Sequence, residues 1–160
     1  MQQVTLRTHA RYSREAVLAA LDWASPSRKP SSFVAGVVWS EPVATDAFFV
    51  TLQKTEQGFS PTTMYRDYAL SPELFHWETQ NATSVDSPVG RRYLTHRAGG
   101  SHVLLLARPA KVNDWGGPQS FTCLGPARYV EHSGDRPIAI TWRLRHALPA
   151  DVYRQASLTA

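Results

Sequence analysis

The chain has 160 residues, a formal net charge of +4 and one cysteine, and 42% of its residues are hydrophobic. That length suits a single domain spanning 1–160, the lone Cys123 excludes an internal disulfide, and the longest apolar run, Val103 to Ala107, is far too short to cross a bilayer. The polar N-terminus is unlike a signal peptide, so a soluble, cytoplasmic chain in a reducing compartment, with no membrane contact, is expected.

Ser13 is placed to cap a helix from about Arg14 to Trp23, in which Val17, Ala20, Leu21 and Ala24 recur at helical spacing, and Ser25, Pro26 and Pro30 end it. Phe33 to Trp39 and Asp46 to Leu52 read as strands, and the second is apolar on both faces, which puts it centrally in a sheet. Leu74 to Thr79 and Val103 to Ala107 are further strands. Between them Ser87 and Pro88 start a short helix carrying Arg91, Arg92, Tyr93 and His96, with Gly90 as its weak point. Near the end, Ile138, Ile140, Trp142 and Leu144 alternate with Ala139, Thr141, Arg143 and Arg145. That half-buried strand should pair with Arg128 to His132 through the Ser133-Gly134-Asp135-Arg136-Pro137 turn. The expected class is α+β, mainly β: a strongly curved sheet or partly open barrel with short flanking helices.

Charge is concentrated. Between Asp86 and Lys111 the basic residues are Arg91, Arg92, Arg97, Arg108 and Lys111 against Asp86 alone, and the remainder of the chain balances to zero. Such a concentration fits a phosphate-binding face, for which Arg91, Arg92, His96, Arg97 and Lys111 are the candidates, and it also fits a solvated basic loop.

The segment Phe59-Ser60-Pro61-Thr62-Thr63-Met64-Tyr65-Arg66-Asp67-Tyr68 is followed closely by Phe75-His76-Trp77. It supplies what a pocket for a flat heterocycle needs: aromatic faces in Tyr65, Tyr68, Phe75 and Trp77, a carboxylate acceptor in Asp67, and hydroxyls in Thr62 and Thr63. The same residues are equally those of ordinary core aromatics on two paired strands, with Asp67 capping a turn. No Gly-x-Ser-x-Gly elbow, His-x-x-x-His pair or Walker-type loop occurs, so no metal, cofactor or catalytic residue is expected and the chain reads as a binding module, not an enzyme.

The runs FSPTTMYRDYALSPELFHWETQN, SPVGRRYLTH and FTCLGPARYVEHSGDRPIAITWRLRHALP resemble the family called domain of unknown function 3427, and the similarity extends from about Leu6 to Pro149. The resemblance implies a C-terminal module of bacterial superfamily-two helicases that also carry a phospholipase-D-type nuclease, here excised from the larger polypeptide. It further implies likeness to the 5-methylcytosine target-recognition domains of modification-dependent restriction enzymes, which have a PUA-like, SET-and-RING-associated fold and flip a base out of the duplex. The expected partners are then double-stranded DNA with a modified base and the helicase and nuclease domains of the same polypeptide, with the protein associated with the nucleoid when bound. Two other readings stay open: a structural domain that docks helicase and nuclease parts, and a metal-dependent nuclease built on Asp67, Glu73, His76 and Glu78.

Overall fold

The computed structural model describes residues 6–21, 36–52 and 67–157. In chain order the elements are β1 (Arg11–Tyr12), α1 (Arg14–Ala20), β2 (Val37–Ser40), β3 (Thr45–Thr51), β4 (Tyr68–Ala69), β5 (Leu74–Glu78), α2 (Pro88–Leu94), β6 (His102–Arg108), β7 (Phe121–Ser133), β8 (Ala139–Leu144) and α3 (Ala150–Ala156). The strands form one eight-stranded mixed sheet in the order β2-β3-β6-β7-β8-β5-β4, with β1 beside β7. Only β3 and β6 pair in parallel among these ladders. The path runs from β2 to β4 without the two ends meeting among the described residues, so the sheet is open and not closed into a barrel.

Local chemistry accounts for the helices. The Ser13 and Ser87 side chains accept the N–H groups of Ala16 and Gly90, satisfying first-turn donors as N-caps do. Gly90 is demanded by space: a β-carbon there would stand 2.0 Å from the Ser84 carbonyl oxygen, closer than any side chain tolerates. Helix α1 ends at Ala20 with Leu21 as its C-cap, short of the expected end near Trp23, and the expected start of the first strand at Phe33 falls outside the described residues. Helix α3, which the sequence pattern did not show, seats Ala156 in the core.

Two apolar layers flank the sheet. On one face Phe48, Val103, Leu105, Phe75, Trp77, Ile140 and Trp142 pack with Tyr93 of α2 and Ala156 of α3. On the other, Ala47, Phe49, Leu104 and Leu106 pack under Val17 and Leu18 of α1 and Leu21 at its C-cap. Strands β3 and β6 are therefore buried on both faces, as the doubly apolar Asp46–Leu52 run requires. Strand β8 buries Trp142 and Leu144 and, with Ile138 just ahead of it, Ile140, while Arg143 and Arg145 point to solvent. On the same outer face, beyond α1, β7 and β8 carry the exposed Arg128 and Arg143, and this surface holds the functional candidates.

Candidate functional site

A cleft of about 430 Å³ opens where the turn after α2 meets the start of β6 and the middle of β7. Arg97, His102, Arg128 and Arg145 line it, with Pro126, Ala127, Val103 and His96 among its walls. The backbone N–H of Arg145 donates to the Pro126 carbonyl at 2.9 Å, which ties the end of β8 to the cleft. One ladder step away Arg128 and Arg143 are direct cross-strand partners, and both are exposed on the outer face. Among the described residues none of Arg97, Arg128, Arg143 and Arg145 has an ion-pair partner. Like charges placed opposite each other in an antiparallel pair are destabilising.

Of the phosphate-binding candidates from the sequence, Arg97 alone lies on the cleft as an exposed cation. Arg91 is exposed and stands 4.0 Å from the Asp86 carboxylate on the surface. Lys111 is exposed beyond the far end of β6, about 20 Å of strand from the cleft.

Arg92 corrects the expectation. Its Nε and Nη2 donate to the two carboxylate oxygens of Asp46 at 2.7 Å each, and its guanidinium lies 4.3 Å from the centre of the Trp39 ring. Asp46 has no exposed side-chain surface, so burial pushes its carboxyl above the usual 3.8 while the bonds and charge of Arg92 pull it back. A carboxylate taken out of water needs such a partner, and Arg92 is committed to that role. The burial of Asp46, the second residue of β3, was invisible in a mostly apolar run.

His96 likewise serves the interior. Its Nε2 accepts the Tyr129 N–H at 3.1 Å, which leaves the proton on Nδ1 to donate to the Ser101 carbonyl at 3.2 Å. Burial, its largest influence, lowers its pKa from the usual 6.5. A neutral ring with both nitrogens engaged forms the wall of the cleft and offers no charge to a phosphate.

The heterocycle pocket fares differently again. Thr62, Thr63 and Tyr65 lie outside the described residues. Phe75 is fully buried, and Trp77 stacks on Phe48 with ring centres 3.9 Å apart and planes at 3°, so both are core aromatics. Tyr68 pairs with His76 on the opposite, outer face, where the two rings stack at 4.7 Å. The period-two alternation of β5 sends Trp77 one way and His76 the other, so Tyr68 and Trp77 cannot flank one ligand. Asp67 accepts the Glu78 N–H at 3.0 Å and so braces the β4–β5 pair.

The nuclease reading needed metal ligands. Among the described residues no group of three or more His, Cys, Asp or Glu side chains is arranged to hold a metal ion. No helix among them is long and apolar enough to cross a membrane.

The residues that sequence reasoning missed are His102, Arg128, Arg143 and Arg145. Their signal was present, since Arg143 and Arg145 were expected to face outward, but nothing in the pattern placed Arg128 opposite Arg143.

Taken together, an open mixed sheet flanked by short helices and bearing an arginine-lined cleft defines an α+β, mainly β domain. The family described as Domain of unknown function (DUF3427) matches residues 6–156, and the chain belongs to that family. No curated protein matches it.

Proposed function

We propose that this domain binds DNA and reads a modified base, 5-methylcytosine foremost, for the helicase and nuclease parts of a modification-dependent restriction system. The observation that carries the reading is the arginine cluster: Arg128 facing Arg143 across the ladder, with Arg145 and Arg97 on the adjoining cleft and no carboxylate partner for any of them among the described residues. A phosphate between the two arginines turns a repulsive pair into a bridged one. The cleft's volume of about 430 Å³ falls within the ~300–1,000 Å³ range of ligand pockets. In this reading the domain contributes recognition and the chemistry resides elsewhere, and the PUA-like, SET-and-RING-associated architecture implied by the family resemblance is part of the same proposal.

Titration of the chain against matched duplexes bearing cytosine, 5-methylcytosine, 5-hydroxymethylcytosine or N6-methyladenine, at several salt concentrations, tests it. Binding should weaken steeply with salt and favour one modified duplex. Arg128→Ala and Arg143→Ala should each weaken binding to all four and lower the salt slope by about one. Unchanged affinity in both variants would refute the phosphate assignment.

One feature favours a second reading, a docking domain. Trp115 is 94% exposed at the tip of the β6–β7 connection. There the Asn113 side chain accepts the N–H groups of Trp115 at 2.9 Å and Gly117 at 3.0 Å. A solvent-facing tryptophan on a hydrogen-bonded turn suits a protein anchor.

A further inference from the structure

On the outer face of the sheet, next to the arginine pair, lies a second and smaller hollow of about 200 Å³ lined by His76, Glu131, His132, Ser133, Ala139 and Thr141. Thr141 of β8 stands between His76 of β5 and Glu131 of β7 as the direct cross-strand partner of each. Arg143, two residues along β8, is the partner of Arg128. The carboxylate row and the arginine row are therefore successive rows on one face, about 7 Å apart along the strands.

This juxtaposition depends on an irregularity. Residues 128 and 131 are three apart, and strict alternation sends such residues to opposite faces of a strand. The ladder between β7 and β8 shifts register between Tyr129 and Glu131. The shift puts Glu131 opposite Thr141 while keeping Arg128 opposite Arg143, and it leaves Val130 41% exposed. Bulges that re-aim a side chain in this way concentrate beside binding sites.

The chemistry of the hollow differs from that of the cleft. Glu131 has no ion-pair partner among the described residues, and an ionised carboxylate repels phosphate and accepts N–H donors. The planar His76 ring stacks on Tyr68.

We infer that this hollow is a base-contacting subsite for an amine-bearing nucleobase of cytosine or adenine type, whose phosphate rests on Arg128 and Arg143. The polarity matches a nucleotide: an anionic end over the arginines and a planar, donor-bearing end over Glu131 and His76. Glu131 accepts from the exocyclic amine, His76 supplies the stacking face, and a thymine-type carbonyl at the same place is repelled. The inference rests on the DNA-binding reading and gives the base a position that the buried Phe75 and Trp77 do not provide.

The test compares the full chain with Glu131→Gln and His76→Ala by fluorescence anisotropy. The probes are single-stranded oligonucleotides identical except for a central run of dC, dA or dT, and duplexes carrying one mispaired cytosine or thymine. The parent should prefer dC or dA over dT, and Glu131→Gln should lose roughly five- to hundredfold of that preference while keeping the parent's salt slope. His76→Ala should weaken binding to every base without changing the slope. If binding persists and Glu131→Gln keeps the parent's ratio of dC to dT, the subsite is overturned while the arginine surface stands. If the parent binds none of these probes, both the subsite and the DNA-binding reading fail.

Discussion

Replacing Arg92 by Ala should destabilise the domain severely without touching the Arg128–Arg143 surface. The Asp46 side chain is wholly buried and receives two 2.7 Å bonds from Arg92, whose own side chain is 24% exposed. Removing one partner of a buried pair leaves an uncompensated charge, at a cost of about 3–5 kcal/mol, to which the loss of guanidinium packing on Trp39 adds about 0.5–2 kcal/mol. Against a typical total of about 5–15 kcal/mol this is a large fraction.

In the variant Asp46 loses the two largest influences that oppose burial, the bonds and the charge of Arg92, so its folded-state pKa rises further. A carboxyl whose folded pKa is raised destabilises most above that pKa and least below the unfolded value, so the deficit should shrink as pH falls from about 7 toward about 4. Urea denaturation of parent and variant across that range measures it. The double variant Asp46→Leu/Arg92→Met, which removes both charges, should recover much of the loss. A loss below about 1 kcal/mol at neutral pH would mean that Asp46 carries no buried charge and would refute the reasoning.

Four further outcomes follow from named contacts. Because burial lowers the pKa of His96, its contribution should be complete above about pH 6.5 and be lost as pH falls below it; chemical denaturation at several pH values, with His96→Gln as the control whose profile flattens, checks this. Gly90→Ala must push a β-carbon into the Ser84 carbonyl, 2.0 Å away, and thermal melting should show a loss of at least about 1–3 kcal/mol. Trp142, with no exposed surface, should cost about 3–5 kcal/mol when cut to Ala, whereas the exposed Trp115 should cost less than about 0.5 kcal/mol; denaturant midpoints of the two variants compare them directly. Arg128→Ala removes a like-charge neighbour of Arg143 and should leave the melting temperature unchanged or slightly raised while DNA affinity falls, and a destabilised variant would mean that Arg128 serves the fold.

The family, the mainly β class and most elements were legible in the sequence because each rests on short-range chemistry. Ser13 and Ser87 cap the helices they precede, the β8 alternation predicts its buried face, and the doubly apolar β3 sits between two covered faces. The site was legible only in part. Arg97 could be marked as a basic residue near a basic run, but charge counting cannot tell an exposed arginine from one folded onto a buried carboxylate, and so Arg92 and His96 were grouped with it. That distinction belongs to long-range packing, since Asp46 lies 46 residues from Arg92 and His96 33 from Tyr129.

The aromatic cluster around Tyr68 and Trp77 divides between two faces once β5 is placed in the sheet, a consequence of pairing and not of composition. The arginine row depends on a single register shift. A regular hairpin continuing the pairing of Ser133 with Ala139 would set residue 128 opposite residue 144, on the buried face, and the bulge between Tyr129 and Glu131 sets it opposite Arg143 instead. One inserted residue reverses the face of everything beyond it, and whether a chain bulges there is decided by the packing of the whole ladder.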